Sequence, residues 1–145
     1  MSDERNADSY AYGILVVDDE ESIRITLGEA LKDAQTTLHT AGSGAAAFEI
    51  LERQPIDLVL LDQNLKETQE SGLDILREIR RRHPEVVVII MTAYGKIESA
   101  VEATKLGCYQ YITKPLEIPQ LRLLIRHALA TFDLRKEVEF LRSEQ

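Results

Sequence analysis

Residues 14–21 read ILVVDDEE: four aliphatic residues, Ile14 to Val17, run directly into four carboxylates, Asp18, Asp19, Glu20 and Glu21. An aliphatic run this short and unbroken is the mark of a strand covered on both faces, as in a parallel sheet. Behind it, Ser22 to Leu31 has helical period, with Ile23, Leu27, Ala30 and Leu31 on one face. The same unit then recurs. Thr37 to Ala41 precedes the stripe Ala46, Ala47, Ile50 and Leu51, with Gly42-Ser43-Gly44 between them reading as a helix cap on Ser43. Leu58 to Leu61 precedes Leu73, Ile75, Leu76 and Ile79. Val86 to Met91 precedes a segment expected to turn Ile97, Val101 and Leu106 inward. Tyr109 to Ile112 precedes a last helix with Pro119 in its first turn. Five strand–helix pairs predict an α/β domain built on a parallel sheet.

The composition agrees. A chain of 145 residues fits one domain with a real core. With 44% hydrophobic and 29% charged residues, 7 Gly and 4 Pro, disordered and collagen-like classes are excluded. The apolar run Val86 to Met91 is far short of the roughly 20 residues of a membrane span. The acidic start, MSDERNADSY, lacks the features of a signal peptide, so no membrane association and a cytoplasmic location are expected. A net charge of -8 opposes phosphate-backbone binding, so no direct nucleic-acid partner is expected. The single Cys108 excludes an internal disulfide and a thiolate metal cage. From Pro119 the chain continues without Gly or Pro to Arg142, and Leu134, Val138 and Leu141 keep an apolar seam at spacings of four and three. This predicts a helix that outruns the domain and pairs in a homodimer.

In an open parallel sheet, ligands sit beyond the carboxyl ends of the strands. Those ends carry Asp18 and Asp19 on the first run, Asp62 on the third, Thr92-Ala93 on the fourth and Lys114-Pro115 just past the fifth. Three carboxylates and one ammonium therefore converge. Two like charges ~4 Å apart repel by roughly 4 kcal/mol at an effective dielectric near 20, so a cation is required. Hard oxygen ligands without thiolate suit Mg²⁺, which commonly joins one or two carboxylates to a phosphate. Such a site receives a phosphoryl group, with Asp62 as attacking nucleophile and Thr92 donating its hydroxyl to a phosphate oxygen.

At these residues the chain resembles the receiver domain of two-component response regulators. ILVVDDEES (14–22), DLVLLDQNL (57–65), VVVIIMTAYG (86–95) and YQYITKP (109–115) match that family's four motif regions in order, over about Tyr12 to Ala130. The tail LRKEVEFLRSEQ and the MTAYG motif are most similar to NtrC-type regulators, in which a helical linker leads to a sigma-54 ATPase. The resemblance implies a flavodoxin-like (βα)5 three-layer sandwich, sheet order 2-1-3-4-5, with an extended C-terminal helix. It divides the chain into an N-terminal tail 1–11, a receiver 12–130 and a helical extension 131–145. It also implies Asp62 as phosphoacceptor for a sensor histidine kinase, Asp19 as direct and Asp18 as mainly water-mediated Mg²⁺ ligand, and the Asn64 backbone carbonyl as another. Thr92 and Lys114 would contact the phosphoryl group, Tyr111 would be the aromatic that responds to Thr92, and Lys114-Pro115 would be cis. Such a domain is a switch that assists its own phosphotransfer, not a turnover enzyme.

One departure stands out: the family usually has Pro four and Gly eight residues after its acceptor, where this chain has Lys66 and, two positions later than usual, Gly72, so the loop Asn64 to Ser71 is expected to be two residues longer and more polar than usual. Two rival functions meet specific objections. A Mg²⁺-dependent phosphohydrolase needs a second acid where Asn64 stands, and a flavin or nucleotide binder needs a Ser/Thr/Gly-rich loop where this chain has DDEE.

Overall fold

The computed structural model describes residues 11–143. The order is β1 (Tyr12–Val17), α1 (Glu21–Ala30), β2 (Thr36–Ala41), α2 (Gly44–Arg53), β3 (Leu58–Asp62), β4 (Asn64–Leu65), β5 (Glu70–Ser71), α3 (Gly72–Arg82), β6 (Val87–Thr92), α4 (Ile97–Lys105), β7 (Gln110–Thr113) and α5 (Ile118–Ser143). Five strands form one parallel sheet in the order β2-β1-β3-β6-β7. Counting only those five, this is the expected order 2-1-3-4-5. The expected tail 1–11, apart from residue 11, and the last two residues of the extension lie outside the described residues.

Strand alternation sorts the aliphatic runs into two cores. Leu58 and Leu60 of β3, with Val87, Ile89 and Met91 of β6, pack under Leu27, Leu121, Ile125, Leu129 and Phe132 of α1 and α5. Val59 and Leu61, with Val88 and Ile90, pack under Leu51, Ile75, Leu76, Ile79 and Ala103 of α2, α3 and α4. Burying each of these large side chains stabilises the fold by roughly 1.5–3 kcal/mol relative to exposure. Because both faces are covered, β3 and β6 are buried along their whole length. Their carboxyl-terminal residues, Asp62 and Thr92, are therefore held rigidly.

The helices end as their sequences direct. Ser43 caps α2, its hydroxyl accepting from the Ala46 N–H at 3.2 Å. Pro119 stands in the first turn of α5, whose inward stripe runs from Leu121 through Ile125, Ala128 and Leu129 to Phe132. Arg122 forks onto the Ala30 carbonyl at the end of α1 at 3.2 and 2.7 Å. Farther along α5, Arg135 donates to the Val86 carbonyl at 3.1 Å, just ahead of β6.

Two expectations are corrected. Ile97 and Val101 do not face inward: they are 81% and 48% exposed. Helix α4 buries Ala103 and packs Leu106 against the core instead. An alanine on the inner face brings the helix close to the sheet, which leaves the larger side chains on the opposite side. The segment 64–71 is also more than a loop. It forms the antiparallel hairpin β4–β5, with Asn64 opposite Ser71 and Leu65 opposite Glu70.

Candidate functional site

Asp18 leaves the end of β1 fully buried, so each polar atom needs a partner. Its Oδ1 accepts from the Glu20 N–H at 2.9 Å, its Oδ2 from the Lys114 ammonium at 2.8 Å, and its carbonyl from the Arg24 guanidinium at 2.6 Å. Asp19 is half-buried, and its Oδ2 accepts from the Glu67 N–H at 3.0 Å. Asp62, the last residue of β3, accepts from the Asn64 N–H at 3.2 Å through Oδ1 and has Lys114 Nζ 3.5 Å from Oδ2. Asp18, Asp19 and Asp62 each offer a carboxylate oxygen within 4.8 Å of the others. The structure thus brings together the three acids and the lysine that the strand ends predicted.

Burial raises the Asp62 pKa from 3.8 to about 6; the Asp18 charge adds to the rise, while the Asn64 N–H and Lys114 work against it. Burial alone would lower the Lys114 pKa, but its contacts with Asp18 and Asp62 outweigh that and raise it. The Lys114 ammonium pairs with Asp18 and Asp62 but not Asp19, and its single charge leaves two negative charges of the cluster uncompensated when all three carboxylates are ionised. Three hard oxygen donors with that residual charge fit a divalent ion such as Mg²⁺.

Thr92 ends β6 fully buried, and its hydroxyl accepts from the Tyr94 N–H at 3.1 Å. The Lys114–Pro115 peptide bond is cis. Tyr111 is half-buried against the α3–α4 core, and its hydroxyl donates to the Gln63 side-chain oxygen at 2.6 Å. Leu134, Val138 and Leu141 stand apart from this site, exposed on the distal part of α5.

The hairpin β4–β5 is tied in on both sides. Glu70 accepts from the Gly44 N–H at the start of α2 at 2.8 Å and from the Thr68 hydroxyl at 2.6 Å. Lys66 lies over the Tyr94 ring, 5.3 Å from its centre. Gly72 follows because nothing larger fits: a Cβ there would stand 2.3 Å from the Asp62 carbonyl oxygen. Sequence reasoning missed Arg24, Gln63 and the Glu67 N–H. A backbone donor has no side-chain signature, and Arg24 and Gln63 are ordinary surface residue types until the fold places them.

A parallel sheet with buried carboxylates, a threonine and a lysine on successive strand ends is the architecture of a receiver-type signalling domain. Residues 14–126 match the response regulator receiver domain family, and the chain belongs to it. It is 40% identical over 133 residues to the nitrogen assimilation regulatory protein NtrX of Azorhizobium caulinodans, covering 91% of this chain and 29% of that protein. The response regulator protein PilR of Pseudomonas aeruginosa is 39% identical over 115 residues, 79% of this chain and 25% of its own. The crystal structure of NtrX from Brucella abortus superposes with a TM-score of 0.82 at 38% identity, covering 91% of this chain and 30% of that one. The match is thus to receivers of NtrC-type regulators, and the chain spans under a third of the length of these relatives. Among the described residues, no helix is long and apolar enough to cross a membrane.

Proposed function

We propose that this domain accepts a phosphoryl group on Asp62 from a phosphohistidine of a sensor histidine kinase and passes the change to the surface of the protein. The observation that carries this reading is the Asp62 carboxylate, 3.5 Å from the Lys114 ammonium inside a three-carboxylate cluster. In the transfer, an Asp62 oxygen forms a bond to phosphorus while the P–N bond breaks and its electron pair leaves on the imidazole nitrogen. Lys114 pairs with an oxygen of the transferred group, and the Thr92 hydroxyl turns toward another. Asp19 and Asp62 directly, Asp18 mainly through water and the Asn64 carbonyl would hold Mg²⁺, which when bound neutralises charge on the phosphoryl oxygens. When Thr92 moves toward the phosphoryl group, Tyr111 fills the space it leaves. The acyl phosphate then hydrolyses within the same site, so the domain is a switch and not a turnover enzyme.

The output runs through the part of α5 beyond residue 130, a helical extension that follows the receiver 12–130. Its exposed Leu134, Val138 and Leu141 support pairing with a second copy. In a cytoplasmic NtrC-type regulator that pairing would control a sigma-54 ATPase and transcription. The test is intact-mass measurement after incubation with acetyl phosphate, with and without Mg²⁺, on wild type and Asp62→Asn. A Mg²⁺-dependent gain of one phosphoryl group, absent in the variant, is expected; an adduct that survives the substitution places the acceptor elsewhere.

A further inference from the structure

Gln63 directly follows Asp62, and its backbone is fixed on both sides. Its N–H donates to the Met91 carbonyl at 2.8 Å, and its own carbonyl accepts from the Gly72 N–H at 2.6 Å. From this fixed base the side-chain oxygen receives the Tyr111 hydroxyl at 2.6 Å. Gln63 directly follows β3 and Tyr111 lies in β7, two strands that are not neighbours, since β6 runs between them. Alternation puts Gln63 on the face of Val59 and Leu61, where Tyr111 packs with Val88 and Ile90. Thr92, two residues beyond Ile90, continues that same face. The hydrogen bond therefore arches over the end of β6, on the side of the sheet to which Thr92 belongs.

We infer that Gln63 is a positioning residue: it holds the Tyr111 ring inward across the end of β6 and so links the tyrosine's conformation to the state of Asp62. The inference rests on the reading of Thr92 and Tyr111 given above and adds a third member to it. An outward Tyr111 loses both its packing on the core and this bond, so the amide favours the inward ring before any phosphoryl group arrives. A hydrogen bond of this kind shifts such an equilibrium by about fivefold. Apparent affinity scales with the fraction of molecules whose ring is already inward, so the bond strengthens occupancy of the phosphoryl position by up to the same factor.

The test is equilibrium titration with beryllium fluoride, a phosphoryl mimic, at fixed Mg²⁺ concentration. The proteins are wild type, Gln63→Leu, Tyr111→Phe, the double variant and Asp62→Asn, with tyrosine ring signals followed by NMR. Leucine keeps the bulk of the glutamine and phenylalanine keeps the ring, so each single variant breaks the bond and leaves one partner unpaired, while the double variant removes both partners together. Gln63→Asn, too short to reach, replaces Gln63→Leu if the latter does not fold. The half-saturating concentration is expected to rise in each single variant, by up to about fivefold, and no further in the double variant. The Tyr111 ring signals of the free protein should shift in Gln63→Leu. A purely structural role would lower the urea midpoint and leave mimic affinity unchanged. Unchanged affinity in Gln63→Leu, or multiplied effects in the double variant, overturns the role of Gln63 while Asp62→Asn still abolishes binding. Binding that survives Asp62→Asn overturns instead the assignment of the acceptor.

Discussion

Replacing Asp62 by asparagine should stabilise the ion-free protein at neutral pH, although it removes the group on which the proposed chemistry depends. Asp62 is only 6% exposed. Burial, reinforced by Asp18, raises its pKa from 3.8 to about 6, equivalent to about 3 kcal/mol against the ionised form. The sign follows from proton binding. The folded chain holds this proton more tightly than the unfolded one, so the penalty is absent below about pH 4, grows between pH 4 and 6, and is complete above that. Asparagine is neutral throughout and nearly the same shape, and the figure of about 3 kcal/mol is already net of the attraction of Lys114, so a gain of up to about 3 kcal/mol is expected at pH 7.5. Urea unfolding in EDTA, with equal slopes for the two proteins, reads this as a higher midpoint for the variant. Saturating Mg²⁺ should narrow or reverse the difference, because the wild type gains binding free energy that the variant, lacking one ligand, does not. A variant no more stable than wild type in EDTA at pH 7.5, or an advantage undiminished at pH 4, would refute the reasoning.

Other outcomes follow from the same geometry. Lys114→Met leaves the fully buried Asp18 without its 2.8 Å partner and should cost on the order of 3 kcal/mol in EDTA at pH 7.5, measured by urea unfolding. Gly72→Ala drives a Cβ to 2.3 Å from the Asp62 carbonyl oxygen. It should destabilise by about 1–3 kcal/mol and slow adduct formation in the mass assay, because the end of β3 must shift. Ser43→Ala removes the α2 cap for about 1 kcal/mol and should leave phosphoryl acceptance unchanged. Leu134→Glu with Val138→Glu should weaken self-association in sedimentation equilibrium without altering the Asp62 adduct; an unchanged profile would remove the distal α5 face from the interface.

The parts of this protein that the sequence displayed most openly are those set by burial on both faces. Leu58–Leu61 and Val86–Met91 could only be central strands, and that alone placed Asp62 and Thr92 at a common edge. The error at Ile97 and Val101 has the same root. Period 3.6 shows that apolar residues share a face, but not that anything covers it, and the face α4 actually buries is marked by an alanine, whose apolar signal is weak. The hairpin of residues 64–71 was illegible because its polar sequence has no strand alternation. It is held by Glu70 reaching the start of α2, a contact between residues 26 apart in sequence. Gln63 and Arg24 acquire meaning only through partners on other elements, and no local pattern announces such partners.

Helix α5 is one unbroken rod of 26 residues, about 39 Å long at 1.5 Å per residue. Only its first half is bedded on the sheet, and among the described residues its last hydrogen bond to the domain is the one from Arg135 to the Val86 carbonyl. Such a rod magnifies motion as a pointer does: a tilt of about 5° in its seat carries the far end roughly 3 Å. Adjustments too small to disturb the packing beneath Leu121 to Phe132 thus emerge at residue 143 as displacements on the scale of a side chain, without any bending of the helix.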